Sequence, residues 1–169
     1  MSDSQTNRSN ILHNLQQKAQ FNAEPYSPIT STEEFFIQPQ APLDESFKKT
    51  LESISGYCTI VSTLNEALAE IAHICNGQTV FCNNPNVEIQ LSANAIAYNS
   101  DPEFARTAKI SITTCEALSA RTASVAVSAA QVIGRRAFSA PETHIVIAYA
   151  NQICSDLPEV FARLETKYG

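Results

Sequence analysis

The sequence has no apolar run of the ~18 residues that would cross a bilayer. Its first residues, Met1-Ser2-Asp3-Ser4-Gln5, also lack the charged stretch and apolar segment that open a secretory leader. The expectation is a cytoplasmic protein without a membrane span. Basic residues are scarce: 11 Lys and Arg stand against 17 Asp and Glu, for a net charge of -6. Polyanions are bound by a surplus of cations that neutralise phosphates, so nucleic acid is excluded as a partner class. A local basic site for one small anion is not.

Closely spaced thiols are missing as well. Cys58, Cys75, Cys82, Cys115 and Cys154 are odd in number, widely separated and mostly flanked by apolar residues. Iron-sulfur and structural zinc sites usually draw on C-x-x-C spacings, and none occurs. His73 and Cys75, two apart on an expected helix, diverge by about 200°. The reading is buried free thiols, with no metal and no cofactor in this chain. Internal repeats and low-complexity tracts are absent too.

What is present is a globular composition, 44% hydrophobic and 17% charged over 169 residues, enough apolar surface for one core. The expected organisation is an N-terminal helix and linker over residues 1–42, then an α/β domain over 43–169. Ile11, Leu12, Leu15 and Ala19 form a narrow apolar stripe, and Pro25, Pro28, Pro39 and Pro42 keep the following stretch irregular. Phe35-Phe36-Ile37 within it should dock on the domain or on a second subunit.

From Asp44 a helix through Phe47, Leu51 and Ile54 is predicted to end at Gly56 in the left-handed conformation. A strand follows over residues 57–62. Thr63 and Glu66 form a capping box for a helix carrying Leu64, Leu68, Ile71 and Cys75. Residues 78–83 return as a strand, and this β-α-β unit implies parallel pairing. Later strands are predicted over 95–98, 109–113, 122–129 and 143–149, with a helical turn or two at 115–120 and a terminal helix capped by Asp156, whose apolar face is Leu157, Val160, Phe161 and Leu164. The fold class is α/β, a mostly parallel central sheet flanked by helices.

Residues 134–164, GRRAFSAPETHIVIAYANQICSDLPEVFARL, resemble the closing segment of the LUD family, also called the lactate utilization protein C family. The matching parts are Arg135-Arg136, Ser139-Ala140-Pro141, His144-Ile145, Asn151-Gln152-Ile153 and Leu157-Pro158-Glu159. Residues 47–83 are similar to the family's helix, strand, helix, strand opening, and NRSNILHNL to its N-terminal helix. The resemblance implies a NagB/RpiA/CoA transferase-like fold. It also implies a non-redox accessory subunit in the oxidation of L-lactate to pyruvate, with iron-sulfur clusters in partner lactate utilization subunits. The family's Ala-Glu-Thr-Gly-Thr turn is replaced by Ala120-Arg121-Thr122-Ala123-Ser124, which reverses one charge and places alanine where glycine tolerates positive φ.

Seven hydroxyl residues lie between Ser111 and Ala129. Thr113 and Thr114, at an expected strand-to-helix step, either cap the helix or offer an anion site at its N-terminus. Arg135 and Arg136 either form a solvated turn or clamp a carboxylate or phosphate. Glu116, Thr122 and Ser124 complete the candidate ligand-binding set, Glu116 either reaching a ligand or pairing with Arg121. Cys115 with His144 as base is weighed as a nucleophile against a core thiol and a structural histidine, and no catalytic residue is assigned. Two alternatives to the accessory subunit stand: an enzyme acting on an anionic small molecule such as a sugar phosphate or CoA ester, and a regulatory binding protein with a decayed site. Homo-oligomerisation is left open.

Overall fold

The computed structural model describes residues 9–11, 13–14, 42–128, 130 and 136–169. The chain divides into two compact units, residues 1–37 and 38–169. Of the first, residues 9–11 and 13–14 are helical and exposed. Leu12, Leu15, Ala19, the linker, Phe35-Phe36-Ile37 and Arg135 lie outside the described residues.

The second unit opens with α1 (Leu43–Ser53), which buries Phe47. Asp44 lies in the first turn without capping it. Ser55, at φ 67°, takes the left-handed position expected of Gly56. Gly56 serves close approach instead, since a Cβ there would meet the Leu51 side chain at 2.5 Å. The capping box predicted from Thr63 and Glu66 is present at the start of α2 (Leu64–Cys75).

Between these helices the expected strand over 57–62 is not formed. Tyr57, Ile60 and Val61 are exposed. Strand preference is a preference for a half-buried pleated surface, and this run has no neighbouring strand to supply one.

Four parallel strands form the main sheet in the order β2-β1-β3-β6, with β1 Val80–Phe81, β2 Tyr98–Asn99, β3 Ile110–Thr114 and β6 Thr143–Ile147. Helix α3 (Pro85–Ala93) connects β1 to β2. Val80, Cys82, Ile110 and Ile112 pack on one face with Leu68, Ile71 and Cys75 of α2 and Val87 and Leu91 of α3. Phe81 faces the other way, against Ala105, Ala108 and Ala137, the last from the short α4 (Arg136–Ser139). Cover on both faces explains why β3 is buried at four successive positions and reads as a continuous run.

A second sheet, ordered β5-β4-β7, contains β4 Ala117–Ser119, β5 Ser124–Ala126 and β7 Ile153–Cys154. Here the expected helical turn at 115–120 is corrected to a strand. The Glu116 N–H donates to Ala126 O at 2.8 Å and the Ala120 N–H to Cys154 O at 2.9 Å. Residues 115–120 are all buried, so their backbone polar groups need such partners, and two neighbouring strands supply them. The strands from β3 to β6 are therefore split between two sheets. Helix α5 (Leu157–Tyr168) packs on β4 and β7 through Val160 and Leu164, while Phe161, expected on the same face, is exposed.

Candidate functional site

Strand order decides where a crevice opens. From β1 the chain moves outward to β2, then returns past β1 to β3, so the carboxyl ends of β1 and β3 flank a topological switch point, where open α/β sheets bind ligands. Asn84 follows β1 there and Thr114 ends β3, with the Asn84 Nδ2 donating to Thr114 Oγ1 over a long 3.4 Å. A cavity of about 250 Å³ lies at this point, lined by Leu64, Leu68, Gln90, Thr114, Ile147 and Tyr149, among others. Asn84 also caps α3: its Oδ1 accepts from the N–H groups of Asn86 and Val87, and Pro85 occupies the first turn. Immediately before it, both polar atoms of the Asn83 side chain are buried without a partner.

Cys115 forms the elbow between the two sheets. Gln152 braces it: its Nε2 donates to Cys115 O at 2.6 Å and its Oε1 accepts from the Tyr149 N–H at 2.7 Å. On the far side of this brace a second cavity of about 500 Å³ separates the start of β4 from α5, and Cys115 and Gln152 line both cavities. The Cys115 thiol is fully buried, and burial, with the nearby Glu116 charge, pushes its pKa up to about 12. His144 is not bonded to it. The His144 Nε2 lies 2.8 Å from Thr113 Oγ1 and its ring packs on Phe138, while burial lowers its pKa and keeps it neutral. The thiol is thus packed in the core, and the histidine is held by Thr113 and Phe138.

Glu116 accepts hydrogen bonds from three side chains. Its side chain is 4% exposed. Ser128 Oγ donates to its Oε1 at 2.6 Å, Tyr168 OH to the same oxygen at 2.5 Å, and Lys167 Nζ to Oε2 at 2.6 Å. Burial by itself would raise its pKa, but the bonds from Lys167, Ser128 and Tyr168 outweigh burial and hold it below the usual carboxylate range. The group ties β4 to the last turn of α5 and stays ionised at neutral pH. Arg121, weighed as its partner, instead pairs with Asp156 at 2.8 Å.

Six of the seven expected ligand residues, all but Arg135, lie among the described residues, and they are distributed over several places. Thr113 and Thr114, adjacent on a strand, face opposite sides of the sheet. Thr114 lines the switch-point cavity, whereas Thr113 is buried against His144. Thr122 Oγ1 lies 2.8 Å from Ser119 Oγ and 2.9 Å from Ser124 Oγ in the β4–β5 turn. Arg136 is exposed and 3.6 Å from Glu103. Sequence reasoning missed Asn84, Tyr149, Gln152, Lys167 and Tyr168. Only Asn84 had a local signal, a capping residue directly before proline.

Among the described residues no group of three or more His, Cys, Asp or Glu is placed to hold a metal ion, and no helix is long and apolar enough to cross a membrane. The family model of the LUD domain matches residues 45–169. No curated protein and no solved structure matches the chain.

Proposed function

The chain belongs to the LUD domain family, which is associated with lactate utilization proteins, and from that premise we propose that it is a cytoplasmic, non-redox accessory subunit of a lactate-oxidising system. In this reading the iron-sulfur clusters reside in partner subunits. The observation that carries it is the family match across residues 45–169. The thiol chemistry agrees: burial raises the pKa of all five cysteines, to about 11 at Cys82 and about 12 at Cys115, so at neutral pH they are protonated. The test is deletion of the gene with growth on L-lactate as sole carbon source, paired with purification of the tagged protein under anaerobic conditions and assay for iron and acid-labile sulfide. Impaired growth with co-eluting iron-sulfur protein supports the proposal. Normal growth and a solitary, iron-free protein overturn it.

A second reading, a small-molecule-binding protein, is favoured by the cavity at the switch point. Its ligand would meet Thr114 and Gln90 there. No charged side chain among the described residues lines that cavity, so the anion class expected from the sequence has no cation there to receive it.

A further inference from the structure

We infer that the switch-point cavity takes an uncharged, polyhydroxylated small molecule of about monosaccharide size, an inference that rests on the second reading above. The walls define the class. Asn86, Gln90 and Thr114 present two amides and a hydroxyl, the amides of Asn84 and Gln152 being already bonded within the chain, while Leu64, Leu68, Val87 and Ile147 supply an apolar side, and the exposed Tyr149 stands at its margin. A side-chain amide offers a donor and an acceptor side by side, the complement of a hydroxyl, which is also both. An aromatic ring and aliphatic side chains suit the C–H face of a polyol ring.

Anions are disfavoured for a specific reason. A helix N-terminus attracts an anion through free N–H groups, and at α3, which begins at this cavity, they are occupied. In α3 the Asn84 Oδ1 takes the N–H groups of Asn86 and Val87 and the Asn84 carbonyl takes that of Glu88. No cation among the described residues lines the cavity and no open donor stands at the α3 start, so desolvating an entering phosphate there without a counter-charge is costly. The volume, about 250 Å³, lies just under the ~300–1,000 Å³ of drug-sized ligand sites, which limits the ligand to a single ring.

The test is titration of the ¹⁵N-labelled full chain with D-glucose, myo-inositol, D-glucose 6-phosphate and inorganic phosphate, following the side-chain amide signals of Asn84, Gln90 and Gln152. The expected result is saturable shifts with glucose or inositol at an affinity at least tenfold above that for glucose 6-phosphate. Gln90→Leu and Thr114→Val should each weaken it at least fivefold with no change in Tm. Equal or tighter binding of glucose 6-phosphate or phosphate overturns the uncharged class while leaving the cavity as the site. Absence of shifts with all four probes overturns both the class and the cavity reading.

Discussion

Replacing Glu116 by Gln keeps the shape of the side chain and removes its charge, which isolates what the carboxylate contributes. Lys167 can only donate, so the new carbonyl must turn toward it. The new NH₂ then faces Ser128 and Tyr168, whose hydroxyls can rotate to accept. The network survives with neutral bonds in place of charge-assisted ones. Hydrogen bonds to charged groups contribute ~1.5–3 kcal/mol and neutral ones ~0.5–1.5, so the Ser128 and Tyr168 bonds together lose about 2 kcal/mol. Relief of the desolvated charge returns part of this, and the net expected loss is about 1–2 kcal/mol at pH 7, a fall in Tm of roughly 2–4 °C per kcal/mol. Urea unfolding followed by far-UV circular dichroism reads it, since the chain has no tryptophan. The pH dependence is the stricter check. The folded-state pKa of Glu116 is lowered relative to its ordinary value, so its contribution is complete above the unfolded pKa of ~4.3 and disappears as pH falls through the depressed folded value. The gap between wild type and variant should therefore hold from pH 7 to about 5 and close below 4.3. Equal stabilities at pH 7, or a gap that persists unchanged to pH 3, would refute the reasoning.

Ala123 sits at φ 50° and is 7% exposed. Ala123→Gly should change stability by less than about 1 kcal/mol, because relief of left-handed strain, ~1–2 kcal/mol, is offset by glycine's backbone entropy and a lost buried methyl; Ala123→Val should destabilise by more than ~2 kcal/mol, both read by urea unfolding. Arg121→Glu would oppose the buried Asp156 that Arg121 now holds below its usual pKa, and should cost about 2–3 kcal/mol, with rescue by Asp156→Arg in a double-mutant cycle. Thr113→Val should lower stability by about 1 kcal/mol by removing the partner of His144 Nε2, measured by chemical denaturation. Cys115 should stay unmodified by Ellman's reagent at pH 8 in the native protein and react only in denaturant, because its thiol is buried and its pKa lies at about 12.

The parts of the fold that a reader of the sequence can place are those written locally. Thr63 and Glu66 are three residues apart and make their capping box with each other. Strands β3 and β6 are long for this chain and lie within two residues of their expected places, and at β3 cover on both faces selects a continuous apolar run. Strand β4 was not legible: three residues, Ala117-Leu118-Ser119, become a strand through β5 on one side and β7 on the other, and Leu118 pairs with Ile153, 35 positions away. The same distance effect hides the site. Lys167 and Tyr168 reach Glu116 from 51 and 52 residues downstream, and Gln152 reaches Cys115 from 37, so no spacing announces them. Residues 57–62 fail in the opposite sense, having strand composition but no strand beside them.

The hydroxyl-rich run from Ser111 follows from this topology rather than from one site. A chain that leaves one sheet and enters another within three residues buries its backbone on all sides, and each small polar side chain must find a partner within reach. Ser111 donates to Ala137 O at 2.7 Å, Thr113 meets His144, Ser119, Thr122 and Ser124 meet one another, and Ser128 donates to Glu116. Thr114 is the exception, with only a long contact to Asn84. It is also the residue at which the main sheet ends and the fork begins. Where two sheets diverge, neither can supply the backbone at the fork with a ladder partner, so a side chain, Gln152, does so in place of a strand. The wedge left open on each side of that brace is what the two cavities occupy, and Thr114, with its single long contact, lines the smaller one.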